Sequence, residues 1–179
     1  MFRVRNIAVT VFVVFAVLWG AAYAGAAQNA LAIFNLTPTN MEAMGSDGEI
    51  LYALISALER QKTVELMSRR DMEEILFQAG LVQGGDTASV AKAGKALGIS
   101  FILFGSVTKK AGRILATLKL MDVANNRLIK TWNKNFAGRE AILNEIPQFA
   151  GELTDTISNR EESFAVPAAA AVQEVKIEN

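Results

Sequence analysis

Residues 99–107 read ISFILFGSV and form an almost continuous apolar run. Such a run is typical of a strand that is covered on both faces and lies near the centre of a sheet. After a turn at 109–112, residues 113–121 alternate with the period of a strand, and a turn at 122–126 leads into a third strand over 127–136. The sequence therefore predicts a three-stranded meander in the second half of the sheet.

Two shorter strands are predicted before the meander, over residues 30–36 and 63–67. Apolar residues at helical spacing predict a helix that is capped by Asp47 or Ser46 and ends near Gln61. A second helix follows the S-x-x-D capping sequence at 68–71, and a third begins at Asp86 or Thr87.

Five apolar residues near the carboxyl terminus repeat at spacings of three and four: Leu143, Ile146, Ala150, Leu153 and Ile157. They predict a closing helix, with Pro147 in its first turn because proline lacks a backbone N–H. The element order β-α-β-α-α-β-β-β-α predicts an α/β fold. We expect a mixed sheet of about five strands with helices packed against it.

The first residues of the chain have the plan of a secretory signal peptide. Arg3 and Arg5 precede an apolar stretch, residues 7–18, which is followed by small residues with two A-x-A sites. We expect cleavage after Ala26, or alternatively after Ala24. An uncleaved anchor is the competing interpretation, because residues 7–27 are about long enough to cross a bilayer. The predicted organisation is a signal peptide (1–26), an α/β domain (27–160) and a flexible tail or linker (161–179).

The composition excludes several kinds of chemistry. The 179-residue chain contains no cysteine and no histidine, so it has no disulfide, thiolate nucleophile, histidine metal ligand or Ser-His pair. Without the leader, sixteen basic residues face eighteen acidic ones, a net charge of −2. This balance argues against a nucleic acid partner, because binding to phosphate backbones relies on a strong positive field.

Three segments resemble CsgG-like envelope proteins: residues 64–76, residues 91–107 (AKAGKALGISFILFGSV) and residues 118–132. The TolB amino-terminal domain and a penicillin-binding-protein activator domain share this architecture. The resemblance covers about residues 30–158. It implies a periplasmic or outer-membrane-associated protein that is not an enzyme, needs no cofactor and docks other envelope proteins.

The chain departs from the curli secretion channels of this family in two respects. It has no lipidation cysteine, and its hairpin turns at 109–112 and 122–126 are too short to cross a membrane. Membrane contact is therefore expected only through the leader, if it is uncleaved. A subunit of an outer-membrane secretion apparatus remains the alternative function, and an enzyme that acts on envelope polymers is a third. Self-association, for example into rings, is left open.

The candidate site is the last strand of the meander. Lys130, Trp132, Lys134 and Phe136 share one face of a strand that is expected at the sheet edge, together with Leu128. Core packing is the plain interpretation of the two aromatic residues. The functional interpretation is a partner-binding edge that accepts a strand or helix from another protein.

Other short motifs indicate structure and no chemistry. Residues 84–86 (Gly-Gly-Asp) resemble the start of a cyclase motif, but Thr-Ala follows, so a helix-capping loop is the better interpretation. Glu73 and Glu74 are adjacent on a helix and point in different directions. No phosphate-binding glycine motif is present in the sequence. We therefore predict no catalytic, cofactor or metal residues.

Overall fold

The computed structural model describes residues 30–165, with side chains described up to residue 160. The predicted signal peptide and the tail beyond residue 165 lie outside the described residues. A short 3-10 turn, Met41–Ala43, separates the second strand from the first helix. The remaining elements in chain order are β1 (Ala30–Ile33), β2 (Thr37–Pro38), α1 (Ser46–Gln61), β3 (Glu65–Leu66), α2 (Arg69–Gln78), α3 (Thr87–Leu97), β4 (Phe101–Lys110), β5 (Arg113–Asp122), β6 (Arg127–Phe136) and α4 (Arg139–Ala165).

The strands form one mixed sheet in the order β3-β1-β4-β5-β6. Strand β1 pairs in parallel with β3 and β4, whereas β4, β5 and β6 form the predicted antiparallel meander. The predicted α/β class and mixed sheet are confirmed. One strand was not predicted: β2 follows directly after the predicted strand 30–36 and pairs in parallel with β4 through Thr37 and Ser106. Proline is tolerated there because β2 has only two residues and only one sheet neighbour.

Helices cover both faces of the sheet, so the domain has three layers. On one face, α1 and α4 pack together over a core that includes Leu31, Leu103, Leu118 and Phe136. On the other face, α2 and α3 pack over a smaller core that includes Phe104. We call the first side of the sheet the α4 side and the second the α3 side.

Close approach of α3 to the sheet depends on Gly94. A Cβ atom at this position would lie 2.6 Å from a Val123 methyl and 2.8 Å from Ile102 Cδ1. A residue with a side chain at position 94 would therefore push α3 away from the sheet.

The predicted caps of α2 and α3 are confirmed. The Asp71 backbone N–H donates to Ser68 Oγ at 3.1 Å, and the Ser89 N–H donates to Asp86 Oδ1 at 3.0 Å. The predicted cap of α1 was wrong, because Gly45 occupies the capping position and donates its own N–H to Asp47 Oδ1.

The start of α4 also differs from the prediction. The helix begins at Arg139, directly after Gly138, so Pro147 lies inside it and not in its first turn. The earlier start brings Ile142 into the core, whereas Leu143 is 54% exposed. The helix also continues to Ala165, beyond the predicted end of the pattern at residue 160.

Within residues 30–165, no helix combines the length and the apolar character that crossing a bilayer requires.

Candidate partner-binding surface

Strand β6 lies at one end of the sheet, as the sequence predicts. It pairs with β5 along nearly its whole length, and no described strand pairs with its other side. The opposite end of the sheet is β3, which has only two residues. The free side of β6, which we call the β6 edge, is therefore the long unpaired strand edge of the described domain. Such an edge presents backbone donors and acceptors to a partner.

Two of the predicted site residues, Trp132 and Phe136, point to the α4 side and belong to the core. Trp132 is 6% exposed and Phe136 is fully buried. The Trp132 ring meets the Phe149 ring of α4 edge to face, with centroids 5.3 Å apart. The indole N–H of Trp132 has no hydrogen-bond partner among the described residues, so packing holds this ring in place. These residues attach α4 to the edge strand.

The two predicted lysines lie on the same side at the rim of this contact. Lys134 Nζ is 3.2 Å from the Glu152 carboxylate of α4 and 5.3 Å from the Phe149 ring centroid. Lys130 is exposed, and its Nζ lies 5.0 Å from the Trp132 ring. The structure thus places Trp132 and Lys134 against Phe149, and Lys130 against Trp132.

Leu128 does not share this side, in contrast to the prediction. An extra residue interrupts the pairing, so Leu120 pairs with Lys130 but Met121 pairs with Leu128. This β-bulge at Ile129 shifts the alternation by one residue. Leu128 consequently lies on the α3 side, where it is 40% exposed.

The α3 side of the meander is largely uncovered. Helices α2 and α3 pack over Ile102, Phe104 and Met121, which lie at one end of the meander. Beyond this end, every side chain on that side is exposed or half-buried. We call this surface the open face, and its residues are Ser106, Thr108, Lys110, Arg113, Leu115, Thr117, Lys119, Thr131, Asn133 and Asn135.

Cross-strand hydrogen bonds order the open face. Thr117 Oγ1 donates to Asn133 Oδ1 at 3.1 Å, and Arg113 Nε donates to Asn135 Oδ1 at 2.9 Å. Lys119 Nζ lies 5.8 Å from the Phe104 ring centroid at the border with α3. These side chains therefore present a polar surface that is already arranged before a partner arrives.

The open face carries three cations, Lys110, Arg113 and Lys119, and no carboxylate. The loop that precedes α3 contains one acidic residue, Asp86. Hydrogen bonds from the side chain and backbone of Ser89 lower the pKa of Asp86 below its usual value of 3.8. This carboxylate caps α3, as predicted for the Gly-Gly-Asp loop, so it has a structural role.

The described residues contain no group of three acidic side chains close enough to hold a metal ion. A surface depression of about 490 Å³ lies near β3, and its lining includes Glu59, Lys62 and Glu65.

An apolar groove lies between α1 and α4, on the α4 side of the sheet and thus opposite the open face. Its volume is about 380 Å³, and Tyr52 and Leu143 line it together with Glu49 and Arg139 at its rim. Tyr52 is exposed. The sequence did not reveal this groove, because Leu143 fits the apolar repeat of α4 and was assigned to the core.

Comparisons with known proteins identify the fold. No family model matches the chain, and no curated protein matches its sequence. Among solved structures, the LpoB C-terminal domain from Escherichia coli matches with a TM-score of 0.53 and 17% identity, over 68% of this chain and 91% of that one.

Two further structures are similar to a lesser degree. The LpoB C-terminal domain from Salmonella enterica matches with a TM-score of 0.49 and 17% identity, over 60% of this chain and 82% of that one. TolB from Acinetobacter baumannii matches with a TM-score of 0.47 and 18% identity, over 75% of this chain and 28% of that one. At this identity, the likeness to the Escherichia coli domain shows that the two chains share a fold.

Proposed function

We propose that this protein is an exported, non-catalytic module of the bacterial envelope that binds a partner protein through the β4–β6 meander. One observation carries the proposal. The ten-residue strand β6 has one unpaired side, and this side lies next to an uncovered polar face of the sheet. A free edge together with an accessible face is the geometry that strand addition uses.

The fold and the leader support the envelope location. The domain has the fold of the LpoB C-terminal domain, which agrees with the CsgG-like resemblance of residues 64–76, 91–107 and 118–132. The sequence of residues 1–26 has the order of charge, apolar stretch and small residues that export requires. We infer a periplasmic protein that acts by docking.

The two sides of β6 have different parts in this mechanism. Trp132 and Phe136 fix the strand from inside by packing on α4, while Lys130 and Lys134 border the edge. A partner segment would extend the sheet beyond β6, and alternate side chains of that segment would lie beside Thr131 and Asn133 on the open face. The rigid core behind the edge reduces the cost of ordering the surface on binding.

Site-specific photocrosslinking in living cells tests the docking surface. A photoreactive amino acid at Asn133, on the open face, is expected to give a discrete protein adduct. The matched control places it at Gln148, an exposed residue of α4. Adducts at position 133 and none at position 148 support the proposal. Equal adducts at both positions, or none at position 133, would contradict it.

The mass of the mature protein tests export separately. A periplasmic extract should contain a polypeptide that begins at Ala27, or at Gly25 if cleavage follows Ala24. Recovery of the uncleaved chain from the cytosol would refute the envelope assignment.

A further inference from the structure

The charge of the open face points to the chemistry of the partner. Its three cations lie on a surface without any carboxylate, although the predicted domain, residues 27–160, is nearly balanced, with fifteen basic and fourteen acidic residues. Segregation of like charges is unfavourable by itself, because neighbouring cations repel each other. It becomes favourable when a partner of opposite charge covers the surface.

The positions of the cations define the length of that partner segment. Lys110 and Arg113 are cross-strand neighbours at one end of the meander. Lys119 lies six residues further along β5, a separation of about 20 Å in a strand. Between them are neutral groups such as Thr117 and Leu115. An extended segment of about seven residues spans this distance, with carboxylates needed near its two ends and polar residues in the middle.

Other anionic partners fit this surface less well. Single-stranded nucleic acids stack on exposed aromatic rings, but Phe104, the aromatic residue at the border of the open face, is buried. A membrane surface is bound through a group of exposed apolar anchors. Leu115, which is 43% exposed, is the single large apolar residue of the open face, so that such a group is missing from it. A second copy that docked through its own open face would bring the same cations and would be repelled.

We propose, on the basis of the proposed docking function, that the open face recognises an extended acidic segment of the partner protein, which lies over β5 and is separate from the segment that pairs with the β6 edge. Carboxylates of this segment pair with Lys119 at one end and with Arg113 and Lys110 at the other. The amide and hydroxyl groups of Asn133 and Thr117 hydrogen-bond the polar residues between them. The interaction is therefore selective for charge placement and sensitive to salt.

The test uses a labelled seven-residue peptide with two glutamates at each end and neutral polar residues between them. Its binding to the purified chain is followed by fluorescence anisotropy at low and at moderate ionic strength. The double variant Arg113→Gln/Lys119→Gln should bind about tenfold more weakly, because two exposed ion pairs are lost. A peptide with glutamines in place of the glutamates should bind no better to the wild type than to this variant.

The matched control is the double variant Lys92→Gln/Lys95→Gln. Both lysines are exposed on α3, so this variant loses the same net charge away from the open face. We expect its affinity for the peptide to stay within about twofold of wild type, since distant charges are screened. Equal losses in the two double variants would show a nonspecific charge effect and would overturn the inference.

Failure of this inference can be distinguished from failure of the docking function. If the Asn133 photoadduct forms in cells but persists at full yield in the Arg113→Gln/Lys119→Gln variant, docking stands and the acidic segment is refuted. Binding of the open face to phosphatidylglycerol vesicles, with no binding to the glutamate peptide, would likewise replace the protein segment by a membrane.

Discussion

The two sides of the β4–β6 meander are built from alternate residues of the same three strands, yet they differ in almost every property. On the α4 side, Trp132 and Phe136 are buried against α4. On the open face, their strand neighbours Thr131, Asn133 and Asn135 are exposed. The comparison shows that packing of α4 buries one side of β6, which then supports the fold. The other side of the strand stays exposed and is accessible to a partner.

The largest contrast is expected between adjacent residues of β6. Trp132→Ala should lower the free energy of unfolding by about 3–5 kcal/mol, because it removes a buried ring that packs on Phe149. Thr131→Ala should cost about 1 kcal/mol or less, since this side chain is exposed. Urea unfolding followed by circular dichroism measures both values. Similar losses in the two variants would show that α4 does not bury one side of β6.

A second contrast concerns adjacent residues of β4. A Cβ atom on Gly105 would overlap the carbonyl oxygen of Thr117 in β5, so Gly105→Ala should separate the two strands. The expected loss is about 3 kcal/mol, at the upper end for overpacking. Ser106→Ala, on the open face, should change stability by about 0.5 kcal/mol at most. The same unfolding experiment applies, and a tolerated Gly105→Ala would contradict the close β4–β5 contact.

A smaller effect is expected for the ion pair on the α4 side. Glu152→Gln removes the partner of Lys134, and both side chains are partly exposed. The loss should be about 0.5 kcal/mol and should decrease as salt is added. Glu145→Gln serves as the control, because Glu145 is exposed on the same helix and has no ion pair among the described side chains. A loss that does not depend on salt would argue against a Coulombic origin.

The smallest effect should come from Asp86, which caps α3 on the same side of the sheet as the open face. Its pKa is lowered in the folded state, so the ionised carboxylate stabilises the fold above the unfolded value of 3.8. This stabilisation is lost as the pH falls through the folded pKa. Asp86→Asn keeps a capping side chain without the charge, so its unfolding midpoint should be below that of wild type at pH 6, and the difference should become smaller at pH 3. A constant difference at both pH values would contradict this role.

The sequence predicted the element order because each element carries its own local signal. The S-x-x-D cap at 68–71, Asp86 at the start of α3 and the apolar run 99–107 are all short-range patterns. They remain readable without knowledge of tertiary contacts.

Features that depend on tertiary contacts were missed. The bulge at Ile129 moves Leu128 to the other side of β6, and one extra residue leaves no mark in an apolar pattern. In the sequence of α4, Leu143 and Ile142 are equally plausible core residues. Only the structure, in which the helix starts at Arg139, shows that Ile142 is buried and Leu143 is exposed. The open face was equally invisible, because the sequence does not say how far α2 and α3 extend across the sheet.

The most direct test of the open face as the binding surface uses the absence of cysteine from the chain. Single Asn133→Cys and Lys92→Cys variants can be labelled with a maleimide that passes the outer membrane but not the inner one. We expect the cysteine at position 133 to react more slowly in intact cells than in the purified protein, while the one at position 92 reacts equally in both. Equal reactivity at position 133 in cells and in isolation would contradict the account.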